Sequence, residues 1–113
     1  MAYHGRMRRY LPILLAAGEQ AQVAPKATLR FDKLLNDSRC PPDVQCIWAG
    51  EVRLGMSLVV AGESEAFELA STTAPRKSVR GFAIELLAFG PCPPGHAAPT
   101  AECASLQVTA PTP

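Results

Sequence analysis

Residues 46–60 read Cys-Ile-Trp-Ala-Gly-Glu-Val-Arg-Leu-Gly-Met-Ser-Leu-Val-Val, and this stretch decides the fold class. Every even position holds an apolar residue or glycine, while Glu51, Arg53 and Ser57 take odd positions. Successive side chains of a β-strand point to opposite faces, whereas the 3.6-residue period of a helix would scatter these polar residues onto the buried stripe. The stretch therefore predicts a strand with one buried face and one wet face.

Shorter runs on both sides repeat this alternation. They are separated by a hairpin-like turn at residues 61–64 and by residues 72–78, whose composition is typical of a loop. No helix-length amphipathic stretch lies between the runs, which disfavours parallel βαβ units. We expect an all-β fold, a small antiparallel β-sandwich that is either Ig-like or barrel-like. The predicted strands, besides 46–60, centre on Leu29–Phe31, Phe67–Leu69, Phe82–Leu86 and Leu106–Val108.

Composition limits both size and partners. The chain has 113 residues and a net charge of +1, which predicts one domain and no electrostatic footprint for nucleic acid. Its 11 prolines argue against a helical bundle, because proline lacks the N–H that a helix needs. No apolar run reaches the ~18 residues of a transmembrane helix. No motif indicates a cofactor, so we expect none.

The N-terminus has the parts of a secretory signal. Arg8 and Arg9 precede an apolar stretch at residues 11–17, and Ala16-Ala17-Gly18 resembles a cleavage site. We therefore predict a leader and linker over residues 1–24, with residues 19–27 outside the core, and a single β domain over residues 25–113. The alternative is a short amphipathic or frayed N-terminal helix. A working leader predicts a periplasmic or secreted protein, and without one the protein would be cytoplasmic.

The four cysteines are Cys40, Cys46, Cys92 and Cys103. Their C-x5-C and C-x10-C spacings do not match the C-x2–4-C knuckles of zinc sites, so no metal site is predicted. An even cysteine count beside a possible export signal favours disulfides. We favour the local pairs Cys40–Cys46 and Cys92–Cys103, each closing a proline-containing loop, although four cysteines allow three pairings. Four free thiols in a cytosolic protein are the alternative.

The segment around the first two cysteines resembles a known motif. Asp37-Ser38-Arg39-Cys40-Pro41, followed by Cys46-Ile47-Trp48-Ala49-Gly50, is similar to the D-S-R-C-P-x4-C-[IV]-W-A-G pattern of small exported, uncharacterised bacterial proteins. The resemblance covers about residues 28–110. It implies export and an all-β domain, and it carries over no catalytic residues.

The residues of this motif have physical reasons to be structural. Asp37 and Ser38 can bond nearby backbone N–H groups in an Asx- or ST-type turn, and Arg39 can pair with Asp37 or Asp43. Pro41 belongs to a loop that a Cys40–Cys46 bond would close. Trp48 falls on the same strand face as Cys46, and Gly50 predicts a bulge or a close backbone contact.

The functional hypotheses rest on a cluster of basic residues and on the absence of a catalytic motif. Arg76, Lys77 and Arg80 form a basic cluster on a predicted loop that could touch an anionic partner. No G-x-S-x-G elbow surrounds Ser38, so we expect a non-enzymatic exported domain that binds or scaffolds a cell-envelope component or another protein. The alternative is a small protease-inhibitor-like protein that presents a braced loop, at residues 40–46 or 91–103, to an enzyme.

Overall fold

A computed structural model describes residues 8–9, 12–40, 50–96 and 100–111. In this described part all regular secondary structure is β-strand. No helix that could cross a membrane occurs among these residues. The nine strands are β1 (Arg8–Arg9), β2 (Ile13–Ala16), β3 (Gln20–Ala24), β4 (Ala27–Asp37), β5 (Val52–Val60), β6 (Glu63–Ala70), β7 (Arg76–Val79), β8 (Phe82–Pro91) and β9 (Glu102–Ala110).

The strands form two antiparallel sheets that pack face to face. In the sheet that we call sheet I, β9 pairs with β1 and β2 along one edge and with β8 along the other, and β8 pairs with β7. Sheet II has the order β3-β4-β5-β6. The chain passes between the sheets from β2 to β3 and from β6 to β7, so the strand order around the sandwich follows the chain order. The predicted all-β antiparallel sandwich is confirmed, with up-and-down connections.

The two ends of the sandwich differ in the length of their connections. Because successive strands are antiparallel, every second connection lies at the same end. At one end, β3–β4, β5–β6 and β7–β8 are joined by two-residue turns. Ala61 and Gly62 have φ values of 52° and 87°, and Arg80 and Gly81 have 51° and 84°, as two-residue hairpins of type I′ require. We call this the tight-turn end. The longer connections lie at the opposite end.

The core lies between the sheets and comes from the predicted alternation. Leu54, Met56 and Leu58 of β5 are fully buried, while the intervening residues are partly exposed. Burying one such side chain stabilises the fold by about 1.5–3 kcal/mol. The strand begins at Val52 rather than at residue 46. Gly50 and Glu51 precede it, and residues 46–49 lie outside the described part.

The predicted boundary at residues 24/25 needs correction. Residues 13–16 of the predicted leader form β2, in which Leu15 is 3% exposed, and residues 20–24 of the predicted linker form β3, in which Val23 is 2% exposed. The prediction that residues 19–27 lie outside the core is therefore wrong. Small and polar residues alternate with only one large apolar side chain in β3, so its period-two pattern is weak.

Residues 72–78 are also not entirely a loop. Residues 76–78 belong to β7, an edge strand that pairs with β8. Only Val79 of this strand is buried. Charged side chains on a short edge strand are a common protection against edge-to-edge association, and this composition is easily taken for a loop.

Candidate functional site

The longer connections gather at one end of the sandwich, which we call the loop end. Among the described residues it comprises 17–19, 38–40, 50–51, 71–75, 92–96 and 100–101. Binding residues are disproportionately found on loops that a rigid scaffold positions. The described motif residues of the loop end are Ser38, Arg39, Cys40 and Gly50.

Arg39 is the centre of this end. Its Nε and Nη2 donate to the two carboxylate oxygens of Asp37 at 2.9 and 2.7 Å, and Nη2 also donates to Glu102 at 3.1 Å. The guanidinium carbon lies 5.1 Å from the centroid of the Phe89 ring, a cation–π distance. Because Glu102 begins β9 and Asp37 ends β4, Arg39 links sheet II to sheet I.

The turn that presents Arg39 is built as the sequence predicts. The backbone N–H of Arg39 donates to Oδ1 of Asp37 at 3.2 Å, which is an Asx-type turn. The hydrogen bonds from the Arg39 side chain, and then that from its backbone, lower the pKa of Asp37 against the opposing effect of desolvation. The same side-chain bond to Asp37 raises the pKa of Arg39. The predicted Arg39–Asp37 pair is present, and Asp43 lies outside the described residues.

Ser38 and Gly50 join the two strands that meet here. The Ser38 N–H donates to the Glu51 carbonyl at 2.9 Å, and the Glu51 N–H donates to the Ser38 hydroxyl at 3.3 Å. A Cβ on Gly50 would lie 2.3 Å from the Cα of Arg39 and 2.4 Å from the Ser38 carbonyl oxygen. The predicted close backbone contact at Gly50 is therefore confirmed.

Glu51 fastens the β6–β7 connection to this junction. Its carboxylate accepts from the N–H groups of Thr72 and Thr73 at 3.4 and 3.2 Å and from the Thr73 hydroxyl at 3.1 Å. Desolvation opposes ionisation, but these bonds together with Arg53 give Glu51 a lowered pKa. The Thr72 hydroxyl also donates to the Gly50 carbonyl at 3.2 Å. The turn is thus held to the end of sheet II.

A disulfide and a contact between His96 and Glu19 hold the β8–β9 connection. Cys92 and Cys103 are bonded, with Cα atoms 4.9 Å apart, which confirms this predicted pair. Nε2 of His96 lies 3.0 Å from Oε1 of Glu19, on the turn between β2 and β3. The same oxygen accepts from the Ala16 N–H at 2.8 Å. The Ala16 bond, and next the His96 bond, lower the pKa of Glu19.

The remaining motif residues are only partly described. Cys40 is disulfide-bonded. Its predicted partner Cys46, together with Pro41 and Trp48, lies outside the described residues. The Ser38 hydroxyl donates to the Glu51 carbonyl, and His96 contacts the Glu19 carboxylate. Within the described ranges no group of three His, Cys, Asp or Glu side chains could hold a metal ion.

The predicted basic cluster is divided between two places. Arg76 lies on the outer face of sheet I, where it lines a groove and pairs with Glu85 at 3.3 Å. Lys77 points to the opposite side of β7, because its register partner is the buried Ile84. Arg80 lies in the turn at the opposite end of β7, where it pairs with Glu63 at 2.9 Å. The three cations therefore do not form a single patch.

Sequence reasoning did not identify Glu102, Phe89, Glu51 or Glu19. Each contacts a residue distant in the chain, such as Arg39 and Glu102, which are 63 positions apart. Local spacing contains no signal for such pairs. Comparisons with protein-family models, curated proteins and solved structures gave no match.

Proposed function

We propose that the protein is an exported, non-enzymatic domain that binds or scaffolds a component of the cell envelope through its loop end. The observation that carries this proposal is that the connections at the loop end are held in place by bonds to other parts of the fold. The Cys92–Cys103 bond and the Arg39 network tie connections to neighbouring strands, and the His96–Glu19 contact ties one connection to another. A surface that is already ordered loses little conformational entropy when it binds.

Export is supported by the disulfide, because disulfides persist in oxidising compartments and are rare in the cytosol. We propose the periplasm or the cell exterior as the location. A cut at Ala16-Ala17-Gly18 would remove β2 from sheet I, so we expect the exported protein to retain residues 13–16.

Fractionation of native cells, combined with thiol alkylation, tests the location. We expect the protein outside the cytoplasm, with no thiol alkylated before reduction and four alkylated after reduction and denaturation. Recovery in the cytosol with four thiols reactive from the outset would contradict export and disulfide formation together.

Site-directed photocrosslinking in intact cells tests the binding surface. A photoreactive residue at Thr73, an exposed position of the loop end, should give a reproducible crosslink to an envelope component. The matched control is Lys26, exposed in a turn at the tight-turn end. Equal crosslinking from both positions, or none from Thr73, would contradict the role of the loop end.

A protease-inhibitor function is the second proposal, and the braced β8–β9 connection favours it. The disulfide closes this connection, and His96 anchors it to Glu19. We would expect stoichiometric inhibition of one protease class and loss of inhibition after reduction. Absence of inhibition across serine, cysteine, aspartic and metalloprotease panels would exclude this function.

A further inference from the structure

The free side of β6 is a second surface, separate from the loop end, and it presents backbone hydrogen-bonding groups. Among the described strands, β6 pairs with β5 in sheet II and is the last strand of that sheet. The two-residue turn makes Val60 and Glu63 a hydrogen-bonded pair, so every second residue of β6 directs its N–H and C=O away from β5. Three of these residues are exposed, namely Ser64, Ala66 and Glu68. We call them the β6 edge.

The neighbouring strand β7 leaves the β6 edge open. Ala70 and Ala74 exchange two backbone hydrogen bonds, at 2.8 and 3.1 Å, where the chain turns from sheet II into sheet I. Within the described residues this pairing goes no further. The same register continued along the two strands would place Lys77 beside the buried Phe67, on the inner face. Burying an ammonium group there is costly, so the two strands do not close against each other.

Charge beside the β6 edge favours a cationic partner. Glu63 and Glu65 both contact Arg80, at 2.9 and 3.5 Å, so two negative charges share one positive charge and leave a net charge of −1. The two glutamate side chains are 72% and 51% exposed, which leaves their carboxylate oxygens accessible to a second cation. The β6 strand of another copy would bring the same glutamates against these, and like charges oppose such pairing.

We propose that the β6 edge binds an extended cationic peptide segment as an additional strand of sheet II. Backbone hydrogen bonds to the edge supply the affinity, and side chains at alternate positions supply the specificity. When one residue of an antiparallel segment pairs with Ala66, the next residue lies beside Glu65 and the preceding one beside Phe67. A lysine or arginine beside Glu65 contacts the shared carboxylates, and an apolar residue suits Phe67.

NMR titration of the folded, oxidised protein with the peptide acetyl-Thr-Val-Thr-Lys-Thr-Lys-Thr-amide tests this site. We expect localised shifts of the amides of residues 63–68, with a Kd of about 1 mM or below. The same peptide with glutamate in place of both lysines should bind at least about tenfold more weakly, because its charge no longer complements the edge. N-methylation of the third residue, whose N–H points to β6, should abolish binding. N-methylation of the fourth residue, whose N–H points away, should preserve it.

Two proline variants separate strand addition from general surface binding. Ala66→Pro removes an N–H that points away from β5, so it leaves the β5–β6 hydrogen bonds intact and should abolish binding. Ser78→Pro makes the same change at the free side of β7, where the N–H points away from β8, and should leave binding unchanged. Circular dichroism confirms that both variants are folded. Glu65→Gln, which removes one shared carboxylate, should weaken binding about tenfold.

Three results would overturn the proposal. The first is full binding by Ala66→Pro, and the second is equal binding of the two N-methylated peptides or of the lysine and glutamate peptides. The third is concentration-dependent shifts of the same amides without peptide, together with a dimer in sedimentation, which would assign the β6 edge to a second copy of the chain. These results are independent of export and of the loop end.

Discussion

Gly50 lies where the chain leaving β4 passes the chain that enters β5. A methyl group there would lie 2.3 Å from the Cα of Arg39, and this neighbour is backbone that cannot rotate away. We expect Gly50→Ala to destabilise the fold by about 2–3 kcal/mol or more, the cost of severe overpacking. Urea unfolding followed by circular dichroism measures this loss.

Gly90 provides the matched control for that substitution. It lies within β8, and a Cβ built on it meets no atom within 4 Å. Gly90→Ala should change the free energy of unfolding by less than about 1 kcal/mol, in the stabilising direction, because alanine restricts the unfolded chain. Equal losses for the two variants would contradict the close approach at Gly50.

Asp37 makes the loop end sensitive to acid. Its pKa in the folded protein lies below the ordinary value of 3.8, with the Arg39 side chain as the largest cause. A carboxyl with a lowered folded pKa contributes stability above its unfolded pKa, and this contribution is lost as the pH falls through the folded pKa. Stability should therefore decline below pH about 4, by less than about 1 kcal/mol from this exposed pair.

Urea unfolding at pH 7 and pH 3 checks this dependence. Asp37→Asn should lower stability at pH 7 and flatten the decline toward pH 3. Lys77→Gln, which also changes one charge but lies in β7, away from Asp37, should keep the wild-type decline. An unchanged pH profile in Asp37→Asn would refute the contribution of this carboxylate.

The same residues show which contacts of the site can be predicted from the local sequence. The Arg39–Asp37 pair and the Asx-type turn were predictable because their atoms are two residues apart. The contact between Arg39 and Glu102 was not predictable, because the two residues meet only after β4 and β9 are placed in opposing sheets. The close contact at Gly50 was predictable as a type of contact, but its partners, Ser38 and Arg39, were not.

Among the strands, β2 has a residue pattern that fits both a signal segment and a core strand. Its apolar residues match a signal segment, yet Leu15 is 3% exposed between the sheets and Leu14 is 37% exposed on the outer face. We expect Leu15→Ala to cost about 2–4 kcal/mol, and Leu14→Ala to cost less than about 1 kcal/mol. Thermal and urea unfolding of the two variants gives the comparison, and equal effects would show that β2 does not contribute to the core.

Two edge strands, β3 and β7, were not predicted from the sequence, whereas β6, also at an edge, was. β3 and β7 each have one fully buried side chain, Val23 and Val79, so alternation between apolar and polar residues is weak. Central strands such as β5 have four buried side chains in a row of alternate positions, and these strands were predicted correctly. Several buried side chains at alternate positions, and not intrinsic propensity alone, produce the signal.

For the whole molecule, alternation indicates which face of each strand is buried but not which strands are neighbours. The sandwich depends on two places where the chain changes sheet, at residues 17–19 and 71–75. Neither is distinguished in the sequence from an ordinary hairpin turn. The all-β class and the Cys92–Cys103 staple were therefore predictable, whereas the up-and-down order and the gathering of longer connections at one end required the structure.

The oxidised state is a property of the whole molecule, and its loss should be measurable as a change in global stability. By the chain-entropy relation, closing the connection between Cys92 and Cys103, 11 positions apart, contributes about 3 kcal/mol. For a domain of this size, that loss corresponds to a fall in Tm of about 10–15 °C. Calorimetry with and without reductant should show this fall.

The Cys92→Ala/Cys103→Ala variant should melt at the lower temperature already under oxidising conditions, and reductant should shift its Tm less than that of the wild type. If alkylation shows that the bond is reduced while Tm is unchanged, the disulfide does not stabilise the domain.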